Sequence, residues 1–254
     1  MISRGTIADI KGEAIPIMRT HLPFEAVLFL VIVGALLPAA AVYGFFKNKR
    51  TGSFPSKRTW HIQVFCLFAF LLFLSYLAGK ALGLFHALFP AATIHLKDAA
   101  LGLGALLASA AAIYPIAKRI CAREPARVYR MLPKLPSEMS MWTAISISAG
   151  IVEEIVYRGI LFSILMILVH SWWPATLTCA ACFGLTHFEG WRNIANAFLM
   201  AILLQAVVYF TGYLYVAMFI HAAYDVIVGL FCVRFWKQAA GARTTEISAP
   251  ASME

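Results

Sequence analysis

Charge is scarce in this chain, and acids are the scarcest of it. Asp, Glu, Lys and Arg together fill 13% of 254 positions, with 12 acids against 21 bases. A disulfide framework is also missing. Cys66, Cys121, Cys179, Cys182 and Cys232 fall mostly inside apolar runs, where thiols behave as small hydrophobes. Residues 1–23 are mixed and polar, without a basic stretch followed by a short apolar core and a cleavage site, so a signal peptide is not expected there. No internal repeat is visible, and no Pro-rich or Ser-rich linker divides the sequence. Several domains are therefore disfavoured against one bundle.

What the chain does have is apolar length. Hydrophobic residues make up 61% of it and the mean hydropathy is +0.79, where soluble domains sit nearer half apolar. About 20 apolar residues cross the hydrocarbon core as a helix. Seven such spans are predicted, at about 26–46, 60–79, 99–117, 141–169, 172–188, 193–210 and 213–235. The expected fold is an all-α polytopic transmembrane bundle over 25–237, preceded by a polar segment at 1–24 and followed by a disordered tail at 238–254. Pro38 predicts a kink in the first span. The apolar piece 81–94 is too short to cross alone, and either extends the second span up to Pro90 or lies in the interface.

The net charge of +9 could point to nucleic acid, but the bases cluster in loops between spans. Lys47, Lys49, Arg50, Lys57 and Arg58 fill the first loop. Lys118, Arg119, Arg123, Arg127, Arg130 and Lys134 fill the third, and Arg234, Lys237 and Arg243 follow the last span. The loops between them carry few or none. This alternation predicts an odd number of spans, with the N-terminus outside and the C-terminus in the cytoplasm, and membrane lipid rather than nucleic acid as the partner. The short loops suggest the inner membrane of a bacterium.

A charged side chain at the centre of a span costs at least about 2.5–3.5 kcal/mol, and most acids of this chain lie at ends or in loops. The exceptions concentrate in the C-terminal half. The fourth span holds Glu153, Glu154 and Arg158, the fifth ends with Phe183 and His187, and the seventh holds His221 and Asp225. Glu154 and Arg158 are four apart and share a helical face, so they can pair. Glu153 is rotated by about 100° from Glu154 and is the carboxylate left over. Taken singly, each group has a plainer explanation. The Glu154–Arg158 pair can be purely structural, His187 interfacial, and His221 with Asp225 a register-fixing pair. Cys179 and Cys182 beside His187 invite a metal reading, although small residues at helix contacts explain them as well.

Together the motifs resemble those of the CPBP family. Its pattern is matched by Glu-Glu-x-x-x-Arg at 153–158, Phe-x-x-x-His at 183–187 and His-x-x-x-Asp at 221–225. That family comprises the CAAX-processing endopeptidases of the Rce1 type and their bacterial relatives, among them bacteriocin-immunity proteins. The resemblance spans about 100–236 and implies a glutamate-type intramembrane endopeptidase acting on a membrane-associated peptide or protein. It implies that Glu153 and His187 activate a water, that His221 and Asp225 stabilise the oxyanion, and that Glu154, Arg158 and Phe183 support the site. The best-known members carry Asn at the last position, and both Asn and Asp occur in the broader pattern; Asp225 donates there only when protonated, or else orients His221 as an acceptor. The resemblance implies no essential metal, while Glu153, His187 and His221 leave zinc open. His-Glu-x-x-His, Gly-x-Ser-Gly and Gly-x-Gly-Asp signatures are absent. A non-catalytic immunity or scaffold protein, and less readily a proton or metal transporter, are the other functions compatible with these residues.

Overall fold

The computed structural model describes residues 6–8, 14–16, 21–90, 95–123 and 132–248. Arg127 and Arg130 of the basic third loop, and residues 249–254 of the expected tail, lie outside them. Among the described residues, eight helices follow a two-stranded antiparallel ribbon, Thr6–Ala8 with Ala14–Pro16, in which Ile7 faces Ile15. Helix α1 runs over Phe24–Thr51, α2 over Lys57–Leu82, α3 over Phe85–Leu88 and α4 over Leu96–Arg123. Helix α5 is composite, with Met139–Glu153 passing into a π-helical stretch Glu154–Leu161 and then Phe162–Val169. Helices α6, α7 and α8 cover Trp172–Thr186, Trp191–Thr211 and Leu214–Ser248.

The fold is thus a polytopic helical bundle, and the protein is an integral membrane protein. Five helices, α1, α2, α4, α7 and α8, are long and apolar enough to cross a bilayer by themselves. Two expected spans, α5 and α6, do not meet that description. Helix α5 carries three charged residues within one turn and a half, and α6 has only 15 residues. Their polarity is buried between neighbours instead. The outer faces carry the apolar surface that lipid covers, with Phe73, Leu107, Leu199, Phe210 and Phe219 all more than half exposed.

Local sequence explains most boundaries. Ser56 caps α2 by accepting from the Thr59 amide. Helix α2 stops at Gly83, whose φ of 73° is open to glycine at little cost. Gly83 decides the fate of the 81–94 piece. It does not extend the second span to Pro90, but breaks and restarts as the single turn α3, while 91–94 lie outside the described residues. The distortion expected at Pro38 takes the form of a π-helical stretch, Ile32–Leu36, just before it. Proline offers no N–H to the carbonyl one turn back, on Gly34, and the Cys182 thiol donates to that carbonyl at 3.5 Å. The expected tail is partly helical, since α8 continues through Ala239, Ala240 and Ala242, good helix formers, to Ser248.

Helix α8 packs along α4 and α5, α7 along α6, and α1 along α2 and α6. The α5–α8 contact is a close one. A Cβ on Gly150 would stand 2.7 Å from the Met218 carbonyl oxygen and 2.8 Å from Ala222, so only glycine lets the two backbones meet there. Where the chain enters α5, Lys57 Nζ reaches the Glu138 carboxylate at 2.9 Å and the Leu132 carbonyl at 3.0 Å, clamping the start of α2 to the start of α5. Partial burial works against the charge on Glu138. The Lys134 amide and the Lys57 ammonium outweigh it, and hold the carboxyl below the ordinary carboxylate range.

Candidate active site

The close α5–α8 approach brings two motifs face to face. Glu154 Oε1 accepts a hydrogen bond from His221 Nδ1 at 2.7 Å and lies 3.0 Å from Arg158 Nη1. All three side chains are at least nine-tenths buried. The expected Glu154–Arg158 pair is present, and Glu154 does more than the sequence led us to expect. It joins α5 to α8, and as a carboxylate it can only accept, so the Nδ1 of His221 carries the proton. The Nε2 edge of that ring therefore turns away from Glu154. The guanidinium of Arg158 lies over the Phe183 ring at 4.6 Å, which ties the first motif to α6.

Glu153 stands apart from this buried group. Its Oε2 is 3.7 Å from His221 Nε2 and 3.9 Å from His187 Nε2, and it has no hydrogen-bond partner. Arg158 pairs with Glu154 and not with Glu153. His187 lies one residue beyond the end of α6 and is fixed from three directions. Its Nδ1 donates to the Phe183 carbonyl at 2.8 Å, which leaves the Nε2 lone pair pointing at Glu153. Its ring sits 4.4 Å from that of Phe183. Its own carbonyl accepts from the Glu189 amide at 2.9 Å and from the Asn193 side chain at 3.3 Å. Asp225 Oδ2 is 3.8 Å from His221 Nε2, on the same face but beyond hydrogen-bond reach. The Asp225 backbone carbonyl accepts from Trp142 Nε1 at 2.8 Å, a second tie between α5 and α8.

These four groups line one cavity of about 590 Å³. Side-chain exposure rises from Glu153 (14%) through Asp225 (27%) to His187 (37%), so the polar groups open outward from the buried Glu154–Arg158–His221 set. The facing wall comes from α1 and α2, chiefly Ala40, Ala41, Gly44, Phe45, Phe68 and Leu71. This wall carries no signal in the sequence, because apolar residues in a span look alike whether they meet lipid or a cavity. Tyr157, on the same helical face as Glu153, reaches Thr186 at 3.3 Å between their hydroxyls, a contact that spacing alone does not announce. Tyr157 packs edge-on against Phe183, and Thr186 donates to the carbonyl that holds His187. The Cys182 thiol bonds to Gly34, and among the described residues no group of three or more His, Cys, Asp or Glu could hold a metal ion.

Residues 135–227 match the family model described as type II CAAX prenyl endopeptidase Rce1-like. This is the family that the three motifs resemble. No curated protein matches, and no solved structure does. The Rce1-like stretch starts just before α5 and ends two residues after Asp225, so it contains Glu153, Glu154, Arg158, His187, His221 and Asp225. The apolar wall on α1 and α2 lies outside it.

Proposed function

We propose that this protein is a glutamate-type intramembrane endopeptidase that hydrolyses a peptide bond in a membrane-associated peptide or protein. The observation that carries the reading is the position of Glu153, whose unpartnered Oε2 lies within 4 Å of two imidazole Nε2 atoms at the edge of a cavity. Those separations are too long for direct hydrogen bonds and suit a water held between the groups. The Rce1-like match supports a protease.

In this mechanism Glu153 and His187 hold the water, and the pair accepts one of its protons as the oxygen attacks the scissile carbonyl. The carbonyl oxygen becomes an oxyanion facing His221 Nε2. With Nδ1 already donating to Glu154, Nε2 donates only when it carries a second proton, so His221 acts here as the imidazolium. Asp225, protonated, donates beside it; ionised, it orients His221 instead. Collapse of the tetrahedral intermediate breaks the C–N bond, and the proton taken from water passes to the leaving amine. Arg158 and Phe183 keep Glu154 and His187 in place. No metal is required in this scheme, and activity is expected to persist after treatment with a strong zinc chelator. The substrate enters at the end of the bundle that holds Asn48, Phe54 and Trp60 beside the basic first loop. By the loop-charge pattern that end is cytoplasmic, in a bacterial inner membrane.

Profiling the new termini of membrane proteins tests the reading. Cells making the wild type should show termini that vanish with Glu153→Gln and with His187→Ala, at equal protein levels. An identical set of termini in all three strains would refute it.

A further inference from the structure

A second cavity, of about 580 Å³, lies where α2 and α5 begin, apart from the catalytic residues. It is lined by Lys57, Arg58, His61, Ser137 and Glu138 at one end and by Ile62, Phe65 and Met141 at the other. We infer that this cavity is a binding site for an anionic phospholipid, with Arg58 and His61 on the phosphate and an acyl chain along Ile62, Phe65 and Met141.

The charges within it are unequally committed. Glu138, the one acid, is occupied: its Oε2 accepts from Lys57 Nζ and from the Lys134 and Leu135 amides. Lys57 is spent on Glu138 and on the Leu132 carbonyl. Among the described residues Arg58 makes no hydrogen bond or ion pair, and it is exposed at the start of a span. Among those residues Arg58 is thus a cation without a counter-charge. A guanidinium placed there matches a phosphodiester bidentately, and His61 one turn on adds a donor.

The apolar end argues for a lipid over a free phosphate. Ile62, Phe65 and Met141 are 55%, 37% and 43% exposed and continue straight from the cationic end. A soluble anion leaves that surface bare, whereas a phospholipid covers both ends at once. The site lies at the end of the bundle where the basic loop meets the membrane, so its ligand is a component of that leaflet.

The test uses the full chain in detergent, with bound lipid counted by native mass spectrometry. Dioleoyl phosphatidylglycerol, dioleoyl phosphatidylcholine and glycerol phosphate are the probes. One tightly held phosphatidylglycerol is expected, with phosphatidylcholine much weaker and glycerol phosphate unable to displace the lipid at equal concentration. Arg58→Gln should weaken retention roughly fivefold, as the loss of one basic group near an anionic surface does, and His61→Ala, which removes a single donor, should weaken it less, while unfolding stays cooperative. Lys57 is left intact because it holds Glu138. Equal retention of the two lipids, displacement by glycerol phosphate, or undiminished binding by a folded Arg58→Gln/His61→Ala protein would each overturn the assignment.

Discussion

At the residue scale the two adjacent glutamates divide into different environments. Glu154 is enclosed with Arg158 and His221, so removing its charge leaves a buried guanidinium without a counter-ion. Such losses cost about 3–5 kcal/mol. Glu154→Gln should therefore lower the thermal midpoint sharply in detergent, while Glu153→Gln should leave it near the wild-type value, since Glu153 Oε2 has no partner to lose. Equal midpoints for the two variants would show that Glu154 is not the keystone described. The sequence allowed this division to be drawn halfway. Spacing of four on a helix pairs Glu154 with Arg158 and leaves Glu153 over, but spacing says nothing of contacts between helices. The His221–Glu154 bond, 67 positions apart in the chain, was out of its reach.

At the scale of elements, α5 is the part that sequence periodicity described least well. A 3.6-residue pattern gives a plain helix, and nothing in it announces the π-helical stretch that begins at Glu154. Such stretches collect at functional sites because they re-aim side chains within an unbroken helix. The placing of α5 against α8 rests on Gly150, and Gly150→Val should disrupt it. Its Cβ would meet a backbone carbonyl that cannot step aside. Lower stability and loss of the Glu153–His221 proximity are expected, read as a lower midpoint and as weaker cross-linking between cysteines introduced at the outer faces of α5 and α8. The Lys57–Glu138 clamp gives an element-scale prediction in pH. Because the carboxyl is held below its ordinary value of 4.5, the clamp's contribution is complete above that value and fades as pH falls through the lower, folded-state one. The midpoint difference between wild type and Glu138→Gln should shrink as pH is lowered from about 7 to about 3. A difference independent of pH would mean that the clamp does not act through charge. Its size stays modest, as befits a part-exposed pair.

At the scale of the whole molecule, long apolar runs and the alternation of basic loops made the membrane bundle legible. The arrangement of the helices was not, since apolar residues facing lipid, core and cavity are chemically alike. That is why the contribution of α1 and α2 to the cavity wall went unseen, although Ala40, Ala41 and Gly44 line the same cavity as Glu153. Gly44 offers a clean probe, because a Cβ built there meets nothing within 4 Å. Gly44→Trp should fill the cavity without unsettling the fold, blocking substrate while the midpoint stays unchanged. Normal processing by that variant would place the substrate elsewhere.

The central claim, that Glu153 activates the water, is tested most directly on a purified protein with a peptide identified from the terminus profiles. General-base assistance is worth about 10²–10⁴ in rate. Glu153→Gln should cut the rate of cleavage by at least about a hundredfold while its thermal midpoint matches the wild type. Cleavage at the wild-type rate by the folded Glu153→Gln protein would contradict the account.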